Sequence, residues 1–84
     1  MTLVRYRRRV WQQLQTLPSD LRRAIVATID AVQNDEVVYR FRDTTRVFYK
    51  PVVGQPDWYV LLREEDDGSF SFVRIRHSTW EHSG

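Results

Sequence analysis

A chain of 84 residues and 10.1 kDa has room for one small domain with a single core, which its 42% apolar residues must build without disulfides because Cys is absent. The lack of Cys also excludes cysteine zinc sites and thiol nucleophiles, and no apolar run approaches the ~20 residues of a membrane span. Net charge is only +2, yet twelve of the thirteen cationic side chains are Arg and Lys50 is the one lysine, a bias toward paired, planar contacts with phosphate or carboxylate.

In chain order, Thr2 to Arg5 fit either a first helical turn or a brief strand, and read slightly better as a strand. Tyr6, Val10, Leu14 and Leu17 then recur at helical spacing, with Arg7, Arg8, Arg9, Gln12, Gln13 and Gln15 mostly on the other side. Pro18 interrupts this pattern and suits the first turn of a second helix, roughly Pro18 to Gln33, where Asp20 complements the helix dipole. Its apolar stripe runs through Leu21, Ala24, Ile25, Thr28, Ile29 and Val32 and reads as a core face.

From Val37 the period changes to two, and β-branched and aromatic residues take over. Strands are predicted over Val37–Arg42, Arg46–Val52, Trp58–Arg63 and Phe70–His77, separated by polar or Gly-containing turns at 43–45, 54–57 and 67–68. The expected fold is α+β: two N-terminal helices on one face of an antiparallel four-stranded sheet, with the short N-terminal strand as an addition. Residues 1–84 form a single domain in this reading, with 78–84 as a flexible tail. With no apolar core of a signal peptide at the N-terminus, the protein is expected to be cytoplasmic, without a membrane partner.

The strands alternate arginine with apolar residues: Tyr39, Arg40, Phe41, Arg42; Arg46, Val47, Phe48, Tyr49, Lys50; Phe72, Val73, Arg74, Ile75, Arg76. Strict alternation would put Arg40, Arg42, Arg46, Lys50, Arg74 and Arg76 on one sheet face as a nucleic-acid-binding band, with Phe48 or Phe72 offering a ring for base stacking. In particular, Arg42, Arg46 and Arg76 should lie near one another opposite the helices. Arg5 to Arg9 and the acidic block Glu64–Asp67 read as two separate solvated runs. His77, beside Arg76, is the best-placed proton carrier, since its ordinary pKa is close to working pH. His77, Glu81 and His82 make only a nonspecific metal set, so no metal is expected, and no Gly-rich loop suggests a nucleotide cofactor.

Leu17, Pro18, Ser19, Asp20, Leu21 and Arg22 at the helix junction, then Tyr39-Arg40-Phe41-Arg42 followed by Arg46-Val47-Phe48-Tyr49, resemble the RelE/ParE superfamily of bacterial toxin–antitoxin systems over roughly Leu3 to Thr79. The likeness implies a toxin, in first place a ribosome-dependent mRNA endoribonuclease, with Arg46 and Arg76 as phosphate clamps and His77 moving the proton. It equally implies an antitoxin partner, and in gyrase-poisoning relatives the target is DNA gyrase. The turn before Arg46 is one residue shorter than the family's usual turn and lacks Gly. Trp80, near the zone where ribonuclease members carry an ionisable residue, has no titratable group. A non-catalytic module binding nucleic acid or an acidic protein through the same face is the alternative.

Overall fold

The computed structural model describes residues 1–79, so Trp80, Glu81 and His82, and most of the expected tail, lie outside the described residues. Seven elements follow one another: β1 (Val4–Tyr6), α1 (Arg8–Gln15), α2 (Ser19–Gln33), β2 (Tyr39–Arg40), β3 (Val47–Val52), β4 (Gln55–Glu64) and β5 (Phe70–His77). They form one five-stranded mixed sheet in the order β1-β5-β4-β3-β2, with α1 against β5 and α2 against β3, β1 and β4.

The α+β class and the two helices are as expected, but the sheet has five strands, because β1 joins its edge. β1 runs parallel to β5, pairing Val4, Arg5 and Tyr6 with Phe70, Ser71 and Phe72. Tyr6 therefore belongs to a strand, and α1 starts two residues later. The other neighbours are antiparallel.

α2 matches its sequence signal closely. Pro18 holds the N-cap, and the last turn closes by Glu36 N–H to Ala31 O (3.1 Å) and Asp35 N–H to Val32 O (3.0 Å), a Schellman arrangement. That closure needs a left-handed residue, and Asp35 supplies it at φ 67°. The Asp35 carboxylate in turn accepts from the Thr2 hydroxyl at 2.6 Å, so the chain start is tied to the end of α2.

Val10 and Leu14 of α1 and Leu21, Ile25, Ile29 and Val32 of α2 pack on Val4, Val52, Val60, Leu62, Phe72 and Ile75. Burying each such side chain contributes about 1.5–3 kcal/mol, the main stabilisation open to a chain of this size. Thr28 is buried among them because its hydroxyl has two uses: it donates to Ala24 O (2.8 Å) and accepts the Val53 N–H (3.0 Å), fixing the β3–β4 turn to α2. Gly54, at φ 73°, lets that turn close in two residues, so β4 begins at Gln55, three residues earlier than its sequence pattern suggested. β2 is shorter than expected, because the chain turns after Arg40. Phe41 N–H still reaches Val47 O (2.9 Å), and Thr44 N–H caps Phe41 O (3.2 Å).

Two carboxyls lie below the ordinary carboxylate range, Asp35 chiefly through the Thr2 hydroxyl and Asp67 chiefly through the Ser69 hydroxyl, then its backbone N–H, with Arg5 nearby. A carboxyl with a depressed folded pKa stabilises the fold above its unfolded pKa, and that contribution disappears as pH falls through the folded value. Urea midpoints are therefore expected to fall as pH drops below about 4. Asp67→Asn should flatten the decline; an acid limb identical to wild type would show that this carboxyl is not linked to folding.

Candidate nucleic-acid interface

Which cations share a face is decided by register. β4 pairs Leu61 with Arg74 but Leu62 with Phe72, so Val73 is an extra, unopposed residue in β5. Before this bulge, Phe72 faces the helices and is fully buried; after it, Ile75 faces them and is buried too. The bulge exchanges the two faces, and Arg74 and Arg76 consequently emerge on the open side, away from the helices.

Across that open side run two cross-strand rows, Arg74–Leu61–Tyr49–Tyr39 and Arg76–Tyr59–Pro51. The rings form one connected cluster. Tyr39 and Tyr49 lie 5.6 Å apart by centroid, Tyr49 and Tyr59 6.0 Å, Phe41 and Tyr59 6.2 Å, and Phe41 and Tyr49 6.3 Å. At the β2 end the Arg42 guanidinium sits 4.9 Å from the Phe41 ring centroid. Phe41, Arg42, Tyr49, Tyr59 and Ser78 enclose a pocket of about 300 Å³, the small end of the range for ligand pockets. Arg42 is directed there by a left-handed backbone, φ 51°, a conformation that is unfavourable for a non-glycine residue.

The other expected band members are elsewhere. Lys50 pairs with Val60 on the helix side, where it is only 8% exposed and donates to Val37 O at 2.7 Å, with Glu36 at 3.8 Å. It anchors the α2–β2 connection. Arg40 pairs with Phe48, whose side of the pleat is also the helix side, although at this sheet edge Arg40 is exposed. The expected stacking rings are likewise displaced: Phe72 is in the core and Phe48 lies edge-on to Phe70 at 5.7 Å.

Arg46, Arg76 and His77 are not brought together. The Arg46 carbonyl accepts from Glu64 N–H, whereas Arg76 stands opposite Tyr59, five positions along β4, a backbone separation of roughly 17 Å. The Arg46 guanidinium is engaged by Asp66 at 2.7 Å. His77 pairs with Trp58, a residue packed on the core, and meets its ring edge-on at 4.9 Å, so it is on the opposite side of the sheet from Arg76. Thr79 N–H donates to His77 Nδ1 at 3.2 Å, and the Thr79 hydroxyl lies 2.6 Å from the same nitrogen, which makes Nδ1 an acceptor.

The acidic block does more than face solvent. Glu65, Asp66 and Asp67 meet Arg7 (4.0 Å), Arg63 (3.8 Å), Arg46 (2.7 Å) and Arg5 (3.7 Å), bringing arginines from β1 and β4, from just after β1 and from just before β3 to the β4–β5 turn. Arg5 and Arg7 reach it because β1 pairs with β5, a link that sequence separation hides. Arg74 and Arg76, by contrast, have no carboxylate partner among the described residues. The sheet is thus neutralised at one end and cationic at the other.

Among the described residues no group of three His, Cys, Asp or Glu is arranged to hold a metal, and no helix is long and apolar enough to cross a membrane. No protein-family model and no curated protein matches the chain. The aromatic cluster was the feature that alternation of charge concealed; its trace in the sequence is the odd-numbered series Tyr39, Phe41, Tyr49, Tyr59.

Because Arg42 holds a left-handed backbone, Arg42→Gly is expected to leave stability unchanged or raise it by up to about 1 kcal/mol in urea unfolding, against the usual loss for Gly elsewhere. A loss above that size would mean that the Phe41 contact outweighs the backbone cost.

Proposed function

We propose that the protein binds single-stranded RNA through the open sheet face, as a non-catalytic module in the first instance. The observation that carries this reading is the aromatic cluster of Tyr39, Phe41, Tyr49 and Tyr59, in which Phe41, Tyr49 and Tyr59 line a pocket of about 300 Å³ with Arg42, while Arg74 and Arg76 stand in the same cross-strand rows as Tyr49 and Tyr59. Tyr39 is exposed and Phe41 and Tyr49 are half-buried over the buried Tyr59, so the first three rings give stacking positions for bases, and the guanidiniums of Arg42, beyond β2, and of Arg74 and Arg76, on β5, meet the phosphates between them. Folded single strands expose such bases, whereas the A-form duplex hides them, so loops and unpaired segments are the favoured targets.

The RelE/ParE likeness suggests where such RNA would come from, a message on the ribosome, and suggests an antitoxin as a second partner. For the cleavage step, in-line attack needs the cations and a proton carrier around one phosphate. Arg46 is held by Asp66 at the far end and His77 lies on the helix side, an arrangement that favours binding over cleavage.

The test is fluorescence anisotropy with a labelled oligouridine across a salt series, beside message cleavage on stalled ribosomes and supercoiling by gyrase. Wild type should bind with a negative salt slope. Tyr49→Ala should weaken binding about 5- to 150-fold, the equivalent of one lost stacked base, and Arg76→Ala should reduce the slope by about 0.7. Arg46→Ala should bind as wild type. Message cleavage lost on Arg46→Ala would overturn this account in favour of the ribonuclease, and blocked supercoiling without RNA binding would favour the gyrase inhibitor.

A further inference from the structure

A second concavity, of about 230 Å³, lies outside the aromatic face, between α1 and the outer edge of β5; Arg9, Gln13, Val73, Arg74, Ile75 and Arg76 line it. Arg9 and Gln13 are four apart and so share one side of α1, next to Val10 and Leu14, which are buried in the core. β1 pairs only as far as Phe72, and the chain then leaves the sheet through the Arg7 N–H bond to Phe72 O (3.2 Å). Beyond that point β5 has a strand partner only on its β4 side among the described residues.

Among the described residues no acid lines the concavity, and none of Arg9, Arg74 and Arg76 has a carboxylate partner. Three arginines line one concavity, and a shared anion that accepts from several forks at once relieves the repulsion of their like charges. Gln13 adds a neutral amide donor. An extended acidic peptide fits less well, because the stretch of β5 without a β1 partner is only Val73–His77 and the bulge at Val73 breaks the regular ladder that a docking strand requires.

From this we infer that the α1–β5 concavity is a phosphate subsite in which Arg9 and Gln13, with Arg74 and Arg76, hold a backbone phosphate of the RNA strand lying on the open face. The inference rests on the RNA-binding reading and extends it: the strand passes over the β5 edge onto α1. Arg74 and Arg76 line the concavity and stand opposite Leu61 and Tyr59 in the rows of the open face, so they connect the base-stacking part of the path to its phosphate-only part.

Two oligouridines separate this inference from its premise, one of about four nucleotides, enough for the aromatic face, and one of about twelve, long enough to cross the edge. Arg9→Ala and Gln13→Ala should leave the short complex unchanged, and Arg9→Ala should weaken the long one roughly three- to tenfold and lower its salt slope by about 0.7. Arg8→Ala, the same change of charge one residue away and outside the concavity, is the control and should behave as wild type, with circular dichroism and melting unchanged in all three. Inorganic phosphate at constant ionic strength should not displace the long strand, because one subsite alone binds weakly.

If Arg9→Ala and Arg8→Ala affect the long oligomer equally, the subsite is wrong while the aromatic face stands; if wild type binds neither oligomer, both fall. Displacement of RNA by inorganic phosphate, or Arg9-dependent binding of an oligoglutamate peptide in place of RNA, would assign the concavity to a free anion or an acidic protein and overturn the inference.

Discussion

One unopposed residue, Val73, decides the surface chemistry of this protein. A strand of regular pleat would keep Phe72, Arg74 and Arg76 on one side, so either Phe72 would leave the core or two guanidiniums would enter it. The bulge lets Phe72 and Ile75 both face the helices and turns Arg74 and Arg76 outward. Core burial and the cationic face are therefore satisfied by the same local irregularity. Neither would survive a one-residue slip, which exchanges the faces of everything that follows.

The second organising feature is electrostatic. Parallel pairing of β1 with β5 brings Arg5 and Arg7 beside the acidic β4–β5 turn, which also receives Arg46 and Arg63. These exposed pairs add little to stability. Their consequence is spatial, since carboxylates occupy the arginines at one end while Arg9, Arg74 and Arg76 at the other end face none among the described residues. A net charge of +2 thus conceals a polarised molecule, and the aromatic cluster lies beside its cationic end.

The helices and the location of the strands were legible in the sequence because each depends on periodicity over many residues: the stripe from Leu21 to Val32 admits one reading. β1 was marginal, three residues whose identity as a strand comes from pairing with Phe70–Phe72 far along the chain. The faces were less legible. Lys50 follows the alternation of Arg46 and Phe48, yet that alternation points it to the helix side, where the Val37 carbonyl makes its partial burial tolerable. The bulge left a faint trace, the shift of apolar residues from even positions, Phe70 and Phe72, to odd ones, Val73 and Ile75. Adjacency misled at His77: neighbours in a strand diverge, so a proton carrier next to Arg76 in sequence is on the other side of the sheet in space.

The claim that register selects one cationic, aromatic face is tested most directly by NMR shift mapping with a short oligouridine. The account predicts perturbations at Phe41, Arg42, Tyr49, Arg74 and Arg76, with Arg46, Asp66 and Trp58 unmoved. Shifts centred on Arg46 and Asp66, or on Trp58 and His77 on the helix side, would contradict it.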